Sequence, residues 1–199
     1  MRGIEREDDR LVIHFDADEA AVLTSTVDQL AELLAEHQPS AALAQQASEP
    51  DPFARWEAEF SRDQAPTIEH FDEDLDDEVD PVVRRLFPDA YPDDPAASHD
   101  FRRFTQAEQS SQKMAEARIV LDDLESTDRR GRCRVPDAHV QAWLKTLTAV
   151  RLALAVRLEI SDEISADEAA QRPDDDPRAW LHEIYQWIGW VQESLIDAL

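Results

Sequence analysis

Cysteine occurs once in this chain of 199 residues, at Cys133. That excludes an intramolecular disulfide and any cysteine-rich zinc centre. Glycine occurs three times, too few to build a phosphate-cradling loop, and no serine nucleophile elbow is present. Lysine occurs only at positions 113 and 145, the other basic residues being arginine. A GC-rich genome produces such a bias without any functional cause. No apolar run approaches eighteen residues, so no segment is expected to span a membrane. The start, MRGIEREDDR, lacks the apolar core of a signal peptide, and the expected location is the cytoplasm.

What is abundant is acid. Twenty basic residues face 45 acidic ones, for a net charge of -25. A halophilic host produces similar acidity. Such a surface repels phosphate and anionic lipid, so direct contact with nucleic acid or membrane is disfavoured. Hydrophobic residues make up 42% of the chain and charged residues 33%, values that fit a folded globular protein. At this length roughly 70% of the unfolded surface can be buried, enough for a single domain over residues 1–199.

The hydrophobic pattern predicts a mostly α fold, a bundle of about four long helices behind an N-terminal β-hairpin. The hairpin spans residues 3–15, with Leu11, Ile13 and Phe15 on one face of an Asp8-Asp9 turn. Leu23, Val27, Leu30 and Leu34 recur at helical spacing over residues 18–37, with Asp18 as N-cap. Residues 38–80 read as an irregular, acidic segment with a helical stretch around PFARWEAEF, and a short helix follows at PVVRRLF. Ser98 is expected to cap a helix to Ser126, with Phe101, Phe104, Met114, Leu121 and Leu124 on its inner face. Pro136 is expected to open the next helix, through Trp143 and Leu147 to Leu158. Residues 161–176 read as a polar loop. Pro177 starts the last helix, whose seam of Leu181, Ile184, Ile188, Val191 and Leu195 is widened by Trp180, Trp187 and Trp190.

Chemical signatures are scarce. The run Glu69–Asp80 lacks the glycine and spacing of an EF-hand loop and reads as a solvated acidic segment. The six histidines show no metal-ligand spacing. His182-Glu183 begins like a zinc-protease helix, but position 186 is Gln, so no metal, cofactor or catalytic residue is assigned. Two features remain. Trp180, Trp187 and Trp190 form core packing, or else a ligand pocket or a subunit interface such as that of a homodimer. The stretch RRGRCRVP sets Arg129, Arg130, Arg132 and Arg134 around Cys133. Its plain reading is an exposed helix connector. Its functional reading is a basic loop that holds an acidic partner or lowers the thiol pKa, since nearby cations and a helix N-terminus favour thiolate. Peroxide would then give a mixed disulfide or a reducible covalent dimer.

The segments RLFPDAYPDDP…DFRRFT, VPDAHVQAWLKTLTAVRLALAVRLEI and IYQWIGWVQESLIDAL resemble an actinobacterial family of unknown function encoded near the ClpS adaptor gene. That family includes AosR-like oxidative-stress regulators. The resemblance runs from the hairpin to the C-terminus and is strongest over residues 80–104 and 135–199. It implies a cytoplasmic regulator that senses oxidants by cysteine oxidation and acts with the transcription machinery or a sigma factor. A two-cysteine switch is not possible with Cys133 alone. The expectation is therefore a non-enzymatic regulatory or adaptor protein acting through protein–protein contacts, with redox tuning through another molecule. The alternatives are a direct DNA-binding regulator and, after it, an enzyme.

Overall fold

The computed structural model describes residues 3–37, 80–173 and 175–199. The acidic run up to Val79, and the helical stretch read around Trp56, lie outside them. Strands β1 (Ile4–Glu7) and β2 (Arg10–His14) pair antiparallel about the Asp8-Asp9 turn, where Asp8 adopts a φ of 43°. This is the expected hairpin. Helix α1 (Ala17–Glu36) buries Leu23, Val27, Leu30 and Leu34. Its cap is Asp16, not Asp18. The Asp16 carboxyl accepts the Glu19 N–H at 2.8 Å while Glu19 reaches back to the Asp16 N–H at 2.9 Å. This reciprocal box satisfies two otherwise orphaned donors, which Asp18, inside the first turn, has no means of doing.

Helix α2 (Pro81–Leu86) is capped by Asp80, whose other carboxyl oxygen takes a 2.7 Å bond from Arg157. Helix α3 (Pro95–Glu125) starts ahead of Ser98 and is capped by Asp94. Ser98 is buried, and its hydroxyl donates to the Tyr91 carbonyl at 2.7 Å. Phe101 and Phe104 are exposed, against expectation. The residues of α3 that enter the core are Ala117, Val120 and Leu124, with Met114 and Leu121 beside them. At 100° per residue, Phe101 and Phe104 fall on the opposite side of the helix from Ala117.

The arginine-rich stretch is not a loop before a helix. Arg132–Pro136 forms strand β3, antiparallel to β2, in a sheet ordered β1-β2-β3. Pro136 ends that strand. A single 3-10 turn, Asp137–His139, precedes α4 (Val140–Arg157). Helix α4 buries Trp143, Thr146, Leu147 and Val150 on more than one face, and it touches α1, α2, α3 and the last helix. A helix apolar over so wide an arc belongs at the centre of the packing. Residues 163–170, read as loop, form a short helix α5 (Glu163–Ala170) capped by Asp162. It buries Ala169 alone, so no apolar periodicity announced it. Helix α6 (Pro177–Asp197) buries Ile184, Ile188, Val191 and Leu195 as its spacing requires. No helix among the described residues is long and apolar enough to cross a membrane.

Candidate functional site

The strand geometry separates the arginines from the thiol. Side chains alternate between the faces of a strand. Cys133 lies opposite Ile13 and Val135 opposite Leu11, all four buried in the core, while Arg132 and Arg134 emerge on the other face. The Asp128 carboxyl gathers the turn. It accepts the backbone N–H groups of Arg130 at 2.8 Å and Arg132 at 3.1 Å, takes Arg132 Nε at 2.9 Å, and stands 3.5 Å from an Arg134 guanidinium nitrogen. These bonds, the Arg132 N–H first, hold its pKa down at about 2, against 3.8. Arg129 and Arg130 are exposed. Gly131 has a φ of +77°, and its carbonyl receives the Phe15 N–H at 2.9 Å. A Cβ built there would lie 1.9 Å from the Phe15 carbonyl oxygen, so only glycine fits where the turn meets the end of β2.

Beneath the turn, the Cys133 thiol is fully buried and donates to the Asp123 carbonyl at 3.4 Å. Burial pushes its pKa up to about 12 from 9.0, with the Asp123 charge acting in the same sense and Arg134 in the other. The expectation of a lowered thiol pKa in an exposed loop is thus reversed. Desolvation outweighs an arginine that points to the opposite face of the strand. The Asp123 carboxyl accepts Trp143 Nε1 at 2.9 Å, and His139 Nδ1 lies 3.0 Å from both its oxygens. This polar trio, with Asp123 and Trp143 buried and His139 partly exposed, ties α3 to the start of α4 and has no signature in the sequence. An aspartate, a histidine and a tryptophan spread over twenty residues carry no periodic signal.

The three tryptophans of α6 share one arc of about 80°, together with Glu183. Trp187 is partly buried and meets Phe15 edge-on at 6.3 Å, and its Nε1 has no hydrogen-bond partner among the described residues. Trp180 and Trp190 are 61% and 45% exposed. The core therefore takes up Trp187 and leaves the other two largely in solvent. Between this arc and the start of α1 lies an open cavity of about 240 Å³, lined by Asp16, Asp18, Glu183, Trp180 and Trp187 among others. Its make-up is aromatic and acidic.

The family model that matches is DUF2017, described as a domain of unknown function, and it covers residues 1–199. The putative oxidative stress regulator AosR of Mycobacterium leprae (strain TN) is 35% identical over 133 residues, covering 60% of this chain and 58% of that protein. The oxidative stress regulators AosR of Mycobacterium bovis and Mycobacterium tuberculosis (strain H37Rv) are each 32% identical over the same share. The chain thus spans 58% of the length of the curated relatives it matches. No solved structure matches. The resemblance drawn from the sequence segments agrees with these relatives.

Proposed function

We propose that this chain, which belongs to the DUF2017 family, is a non-enzymatic regulatory protein that works by contact with other proteins in the cytoplasm, in the control of oxidative-stress transcription. The names of its mycobacterial relatives support the regulatory part of this reading. The observation that carries the contact part is the pair Trp180 and Trp190, exposed on one arc of α6, where Trp180 shares the cavity lining with the carboxyls of Asp18 and Glu183. Tryptophan is enriched where proteins bind one another, and large aromatic surface left in water favours a cover. The acidic rim suits a partner with a basic segment, and a component of the transcription machinery is the partner expected.

In this reading Cys133 does not perform the redox step. Its thiol is buried, its pKa is raised to about 12, and no second cysteine stands ready to resolve a sulfenic acid. The test is affinity capture from an actinobacterial host with the wild-type chain and with Trp180→Ala/Trp190→Ala. Loss of the same transcription-machinery protein from the variant is the expected result. Equal recovery by both chains refutes the role given to α6. The rival reading, direct DNA binding, rests on the exposed Arg129 and Arg130 and requires a salt-sensitive shift of duplex DNA by purified protein.

A further inference from the structure

We propose that the cavity between α2, α4, α5 and α6 binds a small organic carboxylate, its head held by Arg151 and Arg85 and its apolar tail resting on Leu152, Ala155 and Ile160. The cavity measures about 430 Å³, within the range of small-molecule sites. It lies apart from the α6 arc invoked above and does not depend on that reading.

Arg151 is the core of the argument. Its guanidinium stacks on the Tyr185 ring at 5.1 Å and donates to Gln192 Oε1 at 3.1 Å. Its Nε is buried and meets no acceptor among the described residues. The backbone makes room for it. A Cβ on Gly189 would lie 3.3 Å from the Arg151 Cζ, closer than ordinary contact. Gly189 is one of only three glycines and sits inside α6, where glycine is disfavoured. So the helix carries its one weak residue where this guanidinium passes. In a chain with 45 acidic residues, Arg151 has nevertheless acquired no carboxyl partner among the described residues. A planar guanidinium on the cavity wall, held by stacking and with one donor still unmet, is suited to pair with an anion.

The lining selects the class of anion. Arg85 and Arg151 supply two positive charges, and Asp162 one negative charge, so the cavity wall sums to one positive charge. Asp162 is ionised at neutral pH, its pKa lowered by the Ser165 N–H. A monoanion balances that wall, and a phosphate dianion overshoots it. The apolar side chains in the same lining favour a carboxylate with a short hydrocarbon tail.

The three glycines make the test direct, because the Gly189 amide is easily resolved in a nitrogen–proton NMR spectrum. Titration of the full chain with hexanoate should move the Gly189 signal saturably, with a Kd on the order of millimolar, while Gly131 stays in place. Hexan-1-ol and inorganic phosphate should bind at least about tenfold more weakly. Arg151→Met should weaken hexanoate binding by about tenfold or more. Should that variant not fold, Arg85→Met at the exposed mouth decides, with a loss of roughly threefold or more expected. A Gly189 signal indifferent to hexanoate, equal binding of hexan-1-ol or phosphate, or unchanged affinity in a folded variant overturns the proposal.

Discussion

The fate of Cys133 tests the account of β3 most severely. The folded chain holds the thiol at a pKa of about 12, against 9.0 for the ordinary group, because it lies wholly inside the core opposite Ile13. Only the thiolate attacks a disulfide reagent. A rise from 9.0 to about 12 lowers the thiolate fraction near neutral pH about 10³-fold. Burial adds a second barrier, since the reagent reaches sulfur only when β3 opens. The assay is reaction with an aromatic disulfide at about pH 8, followed by the colour released, in native buffer and in concentrated guanidinium chloride. The native rate should be lower than the denatured rate by about 10³-fold or more. A variant that loosens β3 should react faster, by about tenfold for each 1.4 kcal/mol of local stability lost. Native reaction within about tenfold of the denatured rate would refute the inward placement of Cys133, and with it the register of β2 on β3.

Further outcomes follow from the same strand. Below pH 9.0 both folded and unfolded chains keep the Cys133 proton. Between 9.0 and about 12 only the folded chain keeps it, so stability falls as pH rises, by at most about 1.4 kcal/mol per pH unit from this group. Urea midpoints of wild type should therefore drop more than those of Cys133→Ala between about pH 8 and pH 10. Asp128, held near 2, contributes stability that is present above 3.8 and lost as pH falls through about 2. Asp128→Asn should melt lower than wild type at neutral pH, and the gap in Tm should close on acidification toward about pH 2. Gly131→Ala places a Cβ against the Phe15 carbonyl at a positive φ, so its urea midpoint should report a loss of about 2–4 kcal/mol.

Periodic elements were readable in the sequence, and isolated ones were not. The hairpin and the helices α1 and α6 announced themselves because each repeats apolar residues along one face: Leu23, Val27, Leu30 and Leu34 in α1, and Ile184, Ile188, Val191 and Leu195 in α6; α4 did so by being apolar almost all round. Strand β3 did show period two, as Arg-Cys-Arg-Val. Four residues among charges do not distinguish a strand from a turn, though, and its partner β2 lies more than a hundred residues earlier. Phe101 and Phe104 have aromatic bulk but lie out of phase with Ala117 and Val120 along α3, so they stay in water. At the α6 arc, the residues were legible but their exposure was not. Whether a tryptophan enters the core depends on what packs opposite, and Phe15 meets Trp187 alone of the three. Arg151 gave no local signal at all, since its setting depends on Tyr185 and Gly189, more than thirty residues away.

The arginines around Cys133 then have a structural reason that owes nothing to thiol chemistry. A strand docked with one face on the core needs apolar side chains inward and soluble ones outward. Cys133 and Val135 supply the first, and Arg132 and Arg134 the second. On a chain of net charge -25, outward arginines also find acids easily, and here Asp128 both binds them and shapes the turn. Gly131 completes the fit by letting the turn close on Phe15, the residue that in turn supports Trp187. The basic stretch is therefore linked to the α6 arc at a distance, through Phe15 beneath Trp187. A lesion at Gly131 that leaves the chain folded should shift Trp187 while leaving Trp180 and Trp190 solvent-exposed, and the fluorescence of the aromatic face should change accordingly. If that fluorescence stays the same in folded Gly131→Ala, the turn and the α6 face are independent, and the link through Phe15 is wrong.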